Sequence, residues 1–247
     1  MWPYPRIIAH RGAGRLAPEN TLAAMRLAAG LGLSMVEYDV ALSRDEMPIV
    51  LHDRDLRRTS NGHGNADELS FTDLARYDFG GWHSPPYAGE PLATLYSIAA
   101  FTLANRMHSN IEIKPQPGRE ALTGRVVAQM AARLWKDAEA PPLLSSFSED
   151  ALRAARDTAP QLPRALLLEG PLAGDWSDRM SRLGCAALHL EQEHINPRVI
   201  QAVHRKGYKI AAWTVNDAER ARDLLQWDCD AVFTDAIDTL PGALQPT

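Results

Sequence analysis

Short apolar runs recur along the chain at residues 6–10, 35–42, 110–114, 143–147, 164–168, 186–190, 209–215 and 231–235. Runs of this length and character fit strands covered on both faces, the situation of a parallel sheet. Between most of them the apolar residues switch to helical spacing. Leu22, Met25 and Ala29 share one stripe of a helix expected over 19–32. Leu122, Val126, Val127, Met130 and Leu134 do the same over 120–137, and Ala221, Leu224 and Leu225 over 217–227 after Asn216. Ser148 stands in the capping position ahead of Ala151, Leu152 and Ala155. Asn196 and Pro197 open a helix over 197–206 as cap and first-turn residue. Gly32, Gly184 and Gly207 stand where helices should stop.

A ninth run, residues 48–52, breaks the alternation. Only residues 43–47 separate it from the strand before, and a parallel crossover needs a dozen or more. It must turn back antiparallel as a hairpin arm. Eight βα units remain, which predicts an α/β protein of the closed (β/α)8 TIM-barrel type rather than an open doubly wound sheet. Residues 1–247 are expected to form this one catalytic domain. The gap between the second and third parallel strands is abnormally long. Its surplus, about residues 53–92, is rich in turn formers such as Asn61-Gly62, Gly80-Gly81 and Pro85-Pro86. It reads as an irregular insertion after strand two, with one short helix near residues 72–77. Such a loop would stand on the C-terminal face of the barrel, where active sites lie.

Composition changes this picture little. Hydrophobic residues at 45% and charged residues at 23% are ordinary globular values. The net charge of −5 argues against a broad basic face for nucleic acid, but not against a small anion held by a local cationic site. Cys185 and Cys229 have no CxxC partner and read as reduced, buried, small apolar residues. No secretory signal is visible and no stretch approaches 18 apolar residues, so a cytoplasmic protein without stable membrane insertion is expected.

The candidate chemistry gathers at strand C-terminal ends. Glu37 and Asp39 are two apart on a strand and share a face, as do Glu112 and Lys114. Carboxylates crowded on one face repel unless neutralised, either by Arg11 and Lys114 or by a cation. An all-oxygen set suits Mg²⁺, Ca²⁺ or Mn²⁺ better than zinc. His10 and His52, at neighbouring strand ends, form an acid/base pair, and Arg11 and Lys114 suit phosphate oxygens. Phe147 and Trp213 could line a substrate pocket or pack at its rim. Trp82, His83 and Tyr87 read as the insertion's own small core, and Glu191 as a solvated rim carboxylate. His63, His108, His189, His194 and His204 read as structural or exposed. Ser145 and Ser146 lie outside a G-x-S-x-G elbow, and Gly12-Ala13-Gly14 lacks the third glycine of a dinucleotide loop.

The ordered set His10-Arg11-Gly12, Ala17-Pro18-Glu19-Asn20-Thr21, Glu37-x-Asp39, Leu51-His52-Asp53, Asn110-Ile111-Glu112-Ile113-Lys114 and Trp213-Thr214-Val215-Asn216 resembles the glycerophosphodiester phosphodiesterase family. Residues 58–62 and 143–147 are similar to the soluble bacterial enzyme linked to glycerol 3-phosphate uptake. The resemblance implies a barrel with a small insertion, and hydrolysis of glycerophosphodiesters to glycerol 3-phosphate and an alcohol. By motif position it implies a cation on Glu37, Asp39 and Glu112, catalysis by His10 and His52, and phosphate on Arg11 and Lys114. His52 is expected as the acid and His10 as the base. One departure is Ala93-Thr94-Leu95-Tyr96, where the family often has Pro-Thr-Leu-Glu. Two rivals share the fold: a lysophospholipase D-like enzyme, which the polar insertion with Asp67, Glu68 and Asp73 disfavours, and a non-catalytic binder of phosphorylated polyols, which both histidines disfavour.

Overall fold

The computed structural model describes residues 2–244. The chain opens with β1 (Ile7–Ala9), α1 (Leu22–Gly30), β2 (Met35–Leu42), β3 (Pro48–Val50), α2 (Phe71–Leu74) and α3 (Leu95–Ala104). It continues with β4 (His108–Ile113), α4 (Glu120–Leu134), β5 (Leu143–Ser146), α5 (Glu149–Thr158), β6 (Arg164–Leu168) and α6 (Trp176–Leu183). It ends with β7 (Ala187–Glu191), α7 (Pro197–Arg205), β8 (Lys209–Trp213), α8 (Ala218–Gln226), β9 (Ala231–Thr234) and α9 (Leu240–Ala243). The sheet runs β1-β9-β8-β7-β6-β5-β4-β2-β3, and β1 also pairs with β2. That last parallel pairing, Ala9 opposite Val36, closes eight strands into a (β/α)8 barrel. β3 lies outside the ring, antiparallel on β2 with Val40 opposite Val50, the expected hairpin arm.

Alternation along the strands separates two cores. Leu166, Leu188, Leu190, Ile210 and Val232 pack outward with Met180, Leu183, Ile200, Val203 and Leu224 of the helices. Ile8, Met35 and Leu143 cluster instead with Ala165, Ala187, Ala211 and Ala231 inside the ring. Four successive strands thus contribute only a methyl group to that inner layer. Cys185 and Cys229 are buried and unpaired with each other, as expected.

Element starts differ from the periodicity where a polar side chain serves the tertiary structure. α1 begins at Leu22, because Asn20 takes a left-handed φ of 63° and turns its amide onto Asp39. Thr21 then caps the helix through Ala24 N. α8 is capped by Asp217 rather than Asn216, which is occupied with Asp235. The short helix expected near 72–77 is α2, capped by Ser70. The segment between β3 and α3 contains no strand; Leu56, Ala66, Leu74, Phe79 and Leu92 pack there against Ala41, Ile49 and Leu51 of the hairpin. Thr94 opens α3 in a reciprocal cap with Ser97, so Tyr96 falls in its first turn, exposed.

α4 and α5 approach closely at Gly124, where an added Cβ would sit 2.2 Å from the Ala151 carbonyl oxygen. Gly124→Ala gains about 1 kcal/mol of helix propensity but forces overpacking, which typically costs about 1–3 kcal/mol. Backbone-to-backbone crowding should win, giving a lower midpoint in urea unfolding. A stabilised variant would show that α5 yields freely.

Candidate active site

The β2–β4 register places Glu37 opposite Asn110 and Asp39 opposite Glu112. Three carboxylates therefore converge: Glu37, Asp39 and Glu112 are all buried and can each offer an oxygen within 4.8 Å of the others. Burial, then the charge of Asp39, pushes Glu37 up to about 8. The same two causes push Glu112 up to about 7. Asp39 is also raised by burial, but His52, Arg11, Lys114 and the Asn20 amide at 2.8 Å outweigh that and hold it below the usual carboxylate value. Glu37 Oε2 accepts from the Arg11 backbone N–H at 2.9 Å, while its Oε1 is buried without a hydrogen-bond partner. An acceptor-only cluster with an orphaned oxygen fits a hard divalent cation with oxygen ligands.

Each histidine is backed by a carboxylate. His10 Nδ1 lies 2.7 Å from Asp235, and its Nε2 faces Glu37 at 3.9 Å. Asn216 fixes Asp235, donating to Oδ2 at 3.1 Å and accepting from its backbone N–H at 2.8 Å. Gly14 lets this happen: it has a φ of 54°, and a Cβ there would lie 2.2 Å from the Asp235 carbonyl oxygen. His52 Nδ1 lies 2.6 Å from Asp53, with Nε2 3.1 Å from Lys114 Nζ. Arg58 reaches Asp53 at 2.5 Å and clasps both oxygens of Glu19 at 2.7 and 2.8 Å. Glu19 in turn accepts from Arg11 at 2.8 Å. The segment after β3 is thus tied to Arg11 on one side and His52 on the other.

The electrostatics follow from these contacts. The Arg58 hydrogen bond, aided by His52, lowers Asp53 to about 2. Burial pulls His10 down, but the Asp235 hydrogen bond and the Glu37 charge hold it above the usual 6.5. Burial lowers His52, and Arg11 and Lys114 offset the pull of Asp39, leaving it below.

A cavity of about 290 Å³ opens over this cluster, bordered by His10, Arg11, Glu37, His52, Glu112 and Lys114. Phe147 and Trp213 border it too, edge to face at 5.6 Å, with Lys114 Nζ 5.9 Å from the Phe147 ring centre. Eight of the nine residues singled out from sequence therefore line one space, and Asp39 lies beside it against Lys114 at 3.9 Å. Trp82, His83 and Tyr87 stack on one another away from it, and Glu191 holds Gly170 N. Sequence reasoning missed the supporting carboxylates Asp53, Asp235 and Glu19, although Glu19 and Asp53 lay inside quoted motifs and Asp235 ended the last apolar run. It also set aside His189, which is wholly buried yet borders the cavity with neither ring nitrogen bonded.

Comparison with known proteins agrees with the geometry. The profile of the Glycerophosphoryl diester phosphodiesterase family matches residues 10–239. The chain is 30% identical over 238 residues to the glycerophosphodiester phosphodiesterase of Caldanaerobacter subterraneus subsp. tengcongensis, covering 95% of each. Its structure resembles that of an Oleispira antarctica phosphodiesterase in complex with the product sn-glycerol-3-phosphate, with TM-score 0.91, 33% identity and 97% and 96% of the two chains covered. It also resembles the glycerophosphodiester phosphodiesterase of Agrobacterium tumefaciens, with TM-score 0.81, 26% identity and coverage of 97% and 100%. Among the described residues no helix is long and apolar enough to cross a membrane.

His189 carries a pH signature. Burial pushes its imidazole down to about 3, so the folded chain stays neutral there while the unfolded chain takes a proton below 6.5. Its contribution to stability is whole above pH 6.5 and is lost as pH falls towards 3. Acidification from pH 7 to 5 should cost wild type about 2 kcal/mol more than His189→Leu, at about 1.4 kcal/mol per unit. Urea unfolding at the two pH values measures this; equal losses would mean that the histidine takes up a proton in the folded state.

Proposed function

We propose, from the premise that the chain belongs to the glycerophosphoryl diester phosphodiesterase family, that its barrel mouth hydrolyses glycerophosphodiesters by histidine acid/base catalysis beside a carboxylate-held divalent cation. The chain is a phosphoric diester hydrolase whose products are glycerol 3-phosphate and an alcohol. The observation that carries the finer reading is the convergence of Glu37, Asp39 and Glu112 within 4.8 Å, flanked by two carboxylate-backed imidazoles and two cationic side chains.

Glu37, Asp39 and Glu112 would hold the cation, Mg²⁺, Ca²⁺ or Mn²⁺ by the chemistry of the donors. Bound there, it supplies positive charge that offsets the negative charge developing at phosphorus. Arg11 and Lys114 bind the non-bridging phosphate oxygens from either side of Asp39, at 3.6 and 3.9 Å from its carboxylate. Asp235 and Asp53 orient the two rings through Nδ1, which leaves His10 Nε2 for proton transfer, and His52 Nε2 as well once Lys114, 3.1 Å away, turns to the phosphate. His10 Nε2 faces the carboxylates, at 3.9 Å from Glu37, which suits a base that takes the proton of the attacking nucleophile. His52 stands on the hairpin arm beside Lys114, which suits an acid that protonates the departing alcohol.

Two measurements test this. Glycerophosphocholine turnover, followed by glycerol 3-phosphate release, should fall at least 100-fold in EDTA and return with added Mg²⁺, Ca²⁺ or Mn²⁺. Undiminished turnover after exhaustive chelation would remove the three-carboxylate site. His52→Ala should lose 10²–10⁴-fold on alkyl esters and far less on a nitrophenyl ester, whose leaving group needs no proton. Equal losses on both would contradict an acid role.

A further inference from the structure

The space at the barrel mouth does not end at Phe147. A second groove of about 390 Å³ continues from it over the loops that follow β4 and β5. The two share Glu112, Lys114 and Phe147. The outer groove is bordered besides by Pro115, Pro117, Glu120 and Ser148. It lies on the Lys114 side of the mouth, and His52 Nε2 stands 3.1 Å from that ammonium. The alcohol that His52 protonates therefore departs towards this groove.

The chemistry of the groove is sparse. Phe147 is 37% exposed and meets Trp213 edge to face, so ring surface stays open. Pro115 and Pro117 have no N–H to offer. Ser146 Oγ donates to Ile113 O at 2.7 Å and accepts from Ser148 N at 3.1 Å, while Ser148 Oγ caps α5 through Ala151 N. The charges around it are matched with one exception. Glu112 faces Lys114 at 3.1 Å, and Glu149 pairs with Arg179 and Arg182 at 2.6 and 3.4 Å. Arg119 turns away and donates to Ser43 O at 3.0 Å. Glu120 forms no ion pair among the described residues, and the Gly118 N–H holds its Oε1 at 3.1 Å.

We propose that this groove receives the leaving alcohol and selects a quaternary ammonium alcohol of the choline type, with Phe147 and Glu120 as its specificity-determining residues. This rests on the glycerophosphodiester reading of the adjoining cavity. A trimethylated ammonium carries apolar methyl groups and a positive charge but no N–H. It needs an aromatic face, aliphatic walls and a negative charge, and no hydrogen bond. A polyol in the same place would find two hydroxyls already in use, and an anionic alcohol would meet the Glu120 charge. The Lys114 charge is met by Glu112, Asp39 and the phosphate it binds, which leaves Glu120 to set the sign of the groove. Lys114 Nζ is 5.9 Å from the Phe147 ring centre, so a phosphate on Lys114 brings the short arm of choline within reach of the ring.

The test uses two substrates of one shape: glycerophosphocholine, and its neutral analogue in which 3,3-dimethylbutanol replaces choline. Glycerol 3-phosphate release with Mg²⁺ gives kcat/KM for each. Wild type should favour the choline ester. The two alcohols also differ in acidity, so the quantity that decides is the change in this ratio between variants. Glu120→Gln should lower it about 2- to 5-fold, the effect of one exposed charge, and Glu120→Lys should lower it further. Phe147→Leu keeps an apolar side chain without a ring face and should lower the same ratio independently. Raised NaCl should shrink the wild-type ratio towards that of Glu120→Gln, because salt screens an exposed pair. An unchanged ratio, or equal loss on both esters, would overturn the proposal. No glycerol 3-phosphate from either ester with wild type and cation would instead overturn the phosphodiesterase reading, and this inference with it.

Discussion

Three carboxylates share one buried patch, and their charges cannot coexist there uncompensated. The chain meets that constraint in layers. The parallel register of β2 and β4 brings Asp39 against Glu112, so the crowding is set by backbone hydrogen bonds rather than by flexible loops. Arg11 and Lys114 flank Asp39, and the Asn20 amide bonds it, so one carboxylate stays ionised. Glu37 keeps an oxygen that no protein hydrogen bond satisfies, and Glu112 Oε1 faces the Lys114 ammonium at 3.1 Å. The same residues that tolerate the crowding, Arg11 and Lys114, are those suited to an anionic substrate. A net charge of −5 is therefore no obstacle to phosphate, because the local sign is set by cationic neighbours.

The outer parts of the mouth serve this centre. Closure of the barrel through β1 and β9 carries Asp235 to His10 across 225 positions of sequence. The segment after β3 contributes Arg58, which joins Glu19 and Asp53 and so reaches both Arg11 and His52. Both imidazoles thereby acquire a fixed ring orientation from carboxylates outside the cluster. The far half of the cavity carries aromatic rings and unpaired neutral polar atoms, with Glu169 at its edge. A phosphodiester with one polar, uncharged end matches this division.

Much of this was legible in the sequence because its carriers are local. Two-residue spacing put Glu37 with Asp39, and Glu112 with Lys114, on one face. The short gap at 43–47 forced β3 into a hairpin, and the remaining rhythm of strands and helices implied closure. What stayed hidden is what local pattern cannot encode. Asp235 pairs with His10 only once the ring closes, and Arg58 finds Glu19 only once the insertion folds back. His189 looked structural because a histidine within an apolar strand is usually packed and satisfied; its significance lies in lacking any partner, which only coordinates reveal. The misplaced helix starts have the same origin, since Asn20 and Asn216 resemble local caps but hold Asp39 and Asp235.

The central claim is that the buried carboxylates exist to hold a cation, and an anomalous-scattering map from crystals grown with Mn²⁺ tests it most directly. A single strong peak is expected within about 2.5 Å of oxygens from Glu37, Asp39 and Glu112 together, lost in crystals of Glu37→Gln. A map with no peak there, or with manganese bound only at other carboxylates, would contradict it and leave Arg11 and Lys114 as the cluster's sole compensation.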